Sequence, residues 1–226
     1  MDNGEEDNKY CYKGTNVLIN KFDIRNNEVL STLEMDFSSL RYENFQTNPI
    51  KGIFDIKHIK AIHKNLFQDI YTWAGEFRTV NIGKGNLFCL VENIESYLGG
   101  VLDGLAKENY LIGVARVQRI EKLAVYFGDI NAAHPFREGN GRTQRAFIEL
   151  LGKVNGLDID FSKTTEKLML SANVSSFNGS DSELKRLFKN ISTPISKTQQ
   201  LRYCKQILPQ SVYSKVIKRL RTEPSL

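Results

Sequence analysis

Apolar positions along the 226-residue chain recur mostly at the helical period, three or four residues apart. Val29, Leu33, Phe37 and Leu40 fall on one face of a predicted helix, and Ile59, Ile62, Leu66 and Ile70 on one face of another. Ile94, Tyr97, Leu98, Val101, Leu102 and Leu105 make a third stripe. The longest runs through Leu111, Val114, Ile120, Leu123, Ala124 and Phe127 towards Ile130. A helix starting near Gly141 carries Ala146, Phe147, Leu150, Leu151 and Val154 until Gly156 ends it. Leu168, Met169 and Ala172, then Leu184, Leu187, Phe188 and Ile191, predict two shorter helices, and Val212, Val216, Ile217 and Leu220 one more.

One segment has a period of two instead. Residues 77–90 alternate apolar and polar side chains on either side of Gly83-Lys84-Gly85-Asn86, the pattern of a β-hairpin with a glycine-containing turn. A single hairpin in a helical chain has no sheet to join, so its edge is open to pairing with another chain. The plainer reading is a hairpin that only caps the helical core. The fold expected is mainly α: a helical bundle over residues 1–192 with one β-hairpin, and a basic C-terminal helical extension over residues 193–226.

Composition narrows the function classes. Hydrophobic residues make up 41% and charged residues 25%, which is ordinary for a globular domain with a real core. No apolar run approaches the roughly 20 residues of a membrane span, so no membrane partner is expected. The acidic start, Met1-Asp2-Asn3-Gly4-Glu5-Glu6-Asp7, is the reverse of a secretory leader, and a cytoplasmic protein is expected unless a specialised system exports it. Cys11, Cys89 and Cys204 are too few and too scattered for a disulfide framework or a zinc cluster. The net charge of +5 is local: residues 193–226 carry +6, so residues 1–192 sum to −1. That tail would suit an anionic partner, but no aromatic ladder is interleaved as single-strand binding requires, which argues against nucleic acid.

The chemistry concentrates in His134-Pro135-Phe136-Arg137-Glu138-Gly139-Asn140-Gly141-Arg142-Thr143-Gln144-Arg145. Pro135 forces the chain out of helical geometry near His134. Gly139 and Gly141 free the backbone for tight turns just before the next helix begins. A glycine-lined loop feeding a helix N-terminus aims unpaired N–H groups at one spot and favours an anion there. Arg142 and Arg145 are neighbours on that helix and both can reach a phosphate chain. Glu138 would suit Mg²⁺ bridging phosphate oxygens, and His134 a proton taken from an attacking hydroxyl. Each element alone is commonplace. Seven fixed positions together have a chance of about 10⁻⁹ per starting point.

This stretch resembles the signature of the Fic (filamentation induced by cAMP) family. Tyr71-Thr72-Trp73-Ala74-Gly75-Glu76-Phe77-Arg78 and the hairpin after it resemble the family's flap region, and residues 12–21 the opening of bacterial toxin-type members. The likeness spans roughly residues 10–192. It implies protein adenylyl transfer: His134 deprotonates a Ser, Thr or Tyr hydroxyl of a target, which attacks the α-phosphate of ATP and expels pyrophosphate. Glu138 would hold Mg²⁺; Gly139, Asn140, Gly141 and Arg142 would cradle the phosphates, and Arg145 would meet the γ-phosphate. Phe136 reads as a core anchor. The flap (Arg78, Val80, Ile82, Gly83, Lys84, Gly85 and Asn86) would clamp the target protein as an added strand. The family branch that phosphorylates instead carries Lys where this chain has Gly141, so nucleotidyl transfer is expected, with auto-modification as a side reaction.

Family members are commonly restrained by an inhibitory helix of pattern (S/T)-x-x-x-E-(G/N), whose Glu pairs with the second motif arginine. The match here is Ser39-Leu40-Arg41-Tyr42-Glu43-Asn44. Intramolecular inhibition by Ser39, Glu43 and Asn44 is one expectation, and a separate small antitoxin partner is the other. If Glu43 reached the site it could also favour AMP removal. Competing readings from other classes are an inactive nucleotide-binding interaction module and a kinase.

Overall fold

The structure, a computed structural model, describes residues 9–84 and 86–222, and the side chains of all but 84, 86, 221 and 222 of these. In chain order the elements are α1 (Asn27–Thr47), α2 (Ile56–Phe67), β1 (Gly83–Lys84), β2 (Asn86–Leu87), α3 (Ile94–Lys107), α4 (Arg116–Ala133) and α5 (Asn140–Val154). There follow β3 (Leu157–Ile159), α6 (Glu166–Phe177), α7 (Ser182–Ile191), β4 (Ser192–Pro194), α8 (Lys197–Ile207) and α9 (Gln210–Thr222).

Helix α5 is the axis of the molecule. Ala146, Phe147, Ile148, Leu150, Leu151 and Val154 are buried on every side of it, because α2, α4, α8 and β3 all pack against it. An amphipathic surface helix would bury one stripe; this one buries nearly its whole circumference. Phe54, Phe127, Phe136 and Phe147 fill the space around it, each such side chain contributing about 1.5–3 kcal/mol by leaving water. Several helix starts carry side-chain caps: Asn26 accepts from the N–H groups of Glu28 and Val29, Asp55 from His58, and Ser196 forms a capping box with Gln199.

The mainly helical bundle with its hairpin matches the sequence reading, with four differences. Helix α1 turns a different face inward: Leu30, Glu34, Ser38 and Phe45 are buried, whereas Val29 and Leu40 are exposed. The apolar stripe lost to polar side chains that have partners across the interface. The long stripe through Leu111 is broken, because Asn109, Tyr110 and Leu111 all take left-handed backbone (φ 53, 55 and 64), and the helix begins only at Arg116. Asn155 Nδ2 donates to the Tyr110 carbonyl at 2.8 Å and helps to fix this turn.

The hairpin is shorter than its alternation suggested, pairing Gly83 with Leu87 and Lys84 with Asn86; Gly85 lies outside the described residues. Finally, a second antiparallel pair, β3 with β4, joins Leu157 to Pro194 and Ile159 to Ser192. A boundary at residue 192 therefore cuts a strand. The stretch after it is stitched to the body: Gln200 Nε2 donates to the Val154 carbonyl at 2.9 Å, and Cys204, Ile207 and Leu208 are buried. No helix of the described residues is long and apolar enough to cross a membrane.

Candidate active site

Helix α4 ends at Ala133, and His134 caps it in left-handed backbone, φ 41 and ψ 57. Glycine normally holds that place, since a side chain there costs on the order of 1–2 kcal/mol. The conformation is held by Arg78, a residue only 2% exposed. Its Nε donates to the His134 carbonyl and one terminal nitrogen to the Val80 carbonyl, both at 2.9 Å. The other terminal nitrogen donates to the Cys89 carbonyl, and the Arg78 N–H to the Pro135 carbonyl at 2.9 Å. A cation at a helix C-terminus is favourable, although burial lowers its pKa below the usual arginine value. Arg78 thus ties both legs of the hairpin to the end of α4. Its side chain faces inward, so it does not offer itself to a target as the sequence suggested.

The His134 ring stacks on Phe88, centroids 3.7 Å apart and planes 9° from parallel. Its Nδ1 lies 3.3 Å from the Asn131 carbonyl oxygen. That oxygen only accepts, so in the neutral ring Nδ1 carries the proton and Nε2 the lone pair, the tautomer a general base requires.

From Phe136 to Asn140 the loop is braced from within. Phe136 stacks on His63 at 3.8 Å. His63 Nδ1 accepts from the Gly75 N–H at 2.8 Å, which leaves Nε2–H to donate to the Glu138 carbonyl at 3.0 Å. Burial pushes the His63 pKa down to about 3. Asn140 Oδ1 accepts from the Phe136 N–H at 2.8 Å and its Nδ2 donates to the Phe136 carbonyl at 2.7 Å. Both ends of that amide close the loop, so the side chain braces the turn and is not available to a phosphate as the sequence reading expects. Gly139 has φ 76, and a Cβ there would stand 2.3 Å from the Phe67 ring. Gly141, by contrast, is helical and needs no positive φ.

No side chain caps α5. Its first N–H groups, at Asn140, Gly141 and Arg142, have no intrahelical partner by geometry, an arrangement that can receive an anion. At its edge stands Glu138, its side chain 45% exposed. One carboxylate oxygen accepts from the Gly139 N–H at 2.7 Å, and the same oxygen is 3.6 Å from an Arg142 terminal nitrogen.

Arg142 lies over the Phe67 ring at 4.7 Å. One terminal nitrogen donates to Ser38 Oγ at 2.9 Å and the other to Glu34, which also accepts from the Tyr71 hydroxyl. Arg145 is half-buried among Tyr42, Glu149 and Glu166, and burial lowers its pKa. Glu149 in turn accepts from the Tyr42 hydroxyl and from Gln46 Nε2 (2.7 Å), while Lys153 donates to Gln46. Burial raises the Glu149 pKa, and those donors oppose it.

Residues 34, 38, 42 and 46 are thus the face of α1 that meets α5, the first two at Arg142 of the motif and the last two at Glu149 and Lys153 beyond it. Ser39 and Glu43 are exposed, Glu43 is in no ion pair among the described residues, and the Asn44 side chain bonds to Asn48 at 3.0 Å. The sequence reading placed an acidic residue of α1 near the arginines, but one helical face and nine positions too late. Glu34, Ser38, Phe67 and His63 escaped it because none belongs to the short motif. The buried polar positions of α1 and the His63 ring inside an apolar stripe were the available signals.

In the flap, Val80 and Ile82 are half-buried and Gly83 exposed, and Leu87 projects at 62% exposure. The Lys84 and Asn86 side chains and all of Gly85 fall outside the described residues.

The Fic/DOC family pattern matches residues 53–151, which include the whole 134–145 stretch. A probable protein adenylyltransferase of Sinorhizobium fredii is 38% identical over 172 residues, covering 75% of this chain and 88% of the relative. The protein adenylyltransferase VbhT of Bartonella schoenbuchensis is 35% identical over 193 residues; this chain is 85% covered but spans only 40% of that relative's length. Among solved structures, the BepC protein of Bartonella tribocorum, a VirB-translocated effector with bound AMPPNP, superposes with a TM-score of 0.79. It is 29% identical over 85% of this chain and 100% of its own. The motif, the helical frame around it and these likenesses agree: the chain belongs to the Fic/DOC family.

Proposed function

We propose that this protein transfers AMP from ATP to a Ser, Thr or Tyr hydroxyl of a target protein. The hydroxyl oxygen forms a bond to the α-phosphorus, the bond from that phosphorus to the bridging oxygen of the β-phosphate breaks, and pyrophosphate leaves. His134 Nε2 takes the hydroxyl proton. The observation that carries the reading is the combination of a His134 base, its neutral tautomer set by Asn131, with the uncapped start of α5 and Arg142 in that helix's first turn. Such a reaction needs alignment and charge neutralisation more than covalent help. The names of the relatives and the AMPPNP bound by BepC support ATP as the donor.

The residues present also fit Mg²⁺. The ion is commonly held by one carboxylate plus substrate phosphates, and the second Glu138 carboxylate oxygen takes no hydrogen bond among the described residues. When bound, it would neutralise phosphate charge. The target's backbone would align with the short, open-edged flap. Because Glu43 is exposed and away from the arginines' partners, we assign inhibition to a separate small antitoxin chain; Glu43→Gly should leave auto-modification with labelled ATP unchanged, and a rise would contradict this.

His134→Ala tests the chemical role. Transfer should fall by at least about 100-fold, the low end of general-base contributions, while ATP affinity by calorimetry stays within a factor of two or so. Retained transfer in that variant would overturn the assignment.

A further inference from the structure

Helix α1 holds a carboxylate against the phosphate-gripping arginine, and its role follows from which side it occupies. Glu34 is 8% exposed and lies on the protein side of Arg142, sharing that guanidinium with Ser38 and the Phe67 face. Glu138, at 45% side-chain exposure, marks the open side. A carboxylate that blocked nucleotide would have to stand where the phosphates go, on the open side.

We infer that Glu34 is a positioning residue for nucleotide binding: with Ser38, Phe67 and the Tyr71 hydroxyl, it fixes the Arg142 guanidinium at the anion site before ATP arrives. An arginine side chain left unheld must lose rotamer freedom when it binds, and ordering it beforehand removes that cost from the binding step. The two terminal nitrogens have four N–H groups between them, so two bonds to α1 leave donors for a phosphate. Tyr71 strengthens the anchor: its hydroxyl donates to Glu34, and burial with the nearby Glu34 charge raises the Tyr71 pKa, so it remains a donor.

The inference rests on the reading of Arg142 as a phosphate ligand, and a double-mutant cycle on ATP affinity separates the two. Arg142→Ala should weaken ATP binding by roughly 10–100-fold, and Glu34→Ala by roughly 5–10-fold, within the usual range of coupling between contacting residues. In the Arg142→Ala background, Glu34→Ala should have no further effect on affinity, which a merely structural role would not produce. In turnover, Glu34→Ala should raise the KM for ATP more than it lowers kcat. Glu34→Gln, which keeps an acceptor oxygen for Arg142, should recover part of the loss, and it decides the matter if the alanine variant does not fold. Unchanged or tighter ATP binding in the Glu34 variants, or losses that simply add to those of Arg142→Ala, would overturn the positioning role. If Arg142→Ala itself leaves ATP affinity unchanged, the phosphate reading fails instead.

Discussion

Two residues of the motif loop stand in left-handed backbone, and their neighbours tolerate this for different reasons. His134 is held there by Arg78, whereas Gly139 is there because nothing larger fits beside Phe67. Gly139→Ala should therefore combine a backbone cost of about 1–2 kcal/mol with a clash that displaces the Phe67 ring from under Arg142. A fall in unfolding free energy of more than about 2 kcal/mol, with weaker ATP binding, is expected in a urea titration and calorimetry; a neutral variant would contradict the geometry. His63 and His58 are buried and neutral, and burial lowers the pKa of both, that of His63 to about 3. The unfolded chain, with histidines near pKa 6.5, then binds more protons than the native state as the solution is acidified. Stability is complete above pH ~6.5 and declines below it by up to about 1.4 kcal/mol per pH unit for each histidine. Urea midpoints at pH 7 and pH 5 would show it, and His63→Gln should flatten the decline.

Among the elements, α1 shows where periodicity misleads. Four polar or charged side chains spaced four apart, Glu34, Ser38, Tyr42 and Gln46, are the residues that contact α5, and a rule that assigns the inward face to apolar residues selects the wrong stripe. These groups are tolerated near the core because each has a partner: Arg142, Glu149 or Lys153. Tyr42→Phe removes a donor from a buried carboxylate and should cost about 1–3 kcal/mol, measurable by urea unfolding; no change would mean Glu149 is otherwise satisfied. The motif loop itself was legible, because proline, two glycines and paired arginines each act locally. Arg78 was not: nothing in its neighbours distinguishes a guanidinium that reaches a target from one that gathers the carbonyls of Val80, Cys89 and His134. Long-range bonds of that kind become visible only when the hairpin and α4 are seen together.

Across the whole molecule, the basic C-terminal stretch divides by packing rather than by charge. Its first part, through β4 and α8, completes the second sheet and covers one side of α5; only α9 lies beyond, burying Val216 and Leu220. Removing residues 209–226 should leave nucleotide binding intact. Removing residues 193–226 strips Cys204, Ile207 and Leu208 from the core at on the order of 5 kcal/mol, equivalent to a fall in Tm of about 10–20 °C. Equal losses from both truncations, read by thermal unfolding, would contradict this division. The central claim is that the loop at 134–145 directs a hydroxyl to the α-phosphorus of ATP. It is tested most directly by incubating the intact chain, wild type beside His134→Ala, with ATP radiolabelled at either the α- or the γ-phosphorus in the presence of Mg²⁺. Protein labelled from the α-position alone, and only with His134 present, is the expected result; label from the γ-position, or label that survives loss of the imidazole, would contradict it.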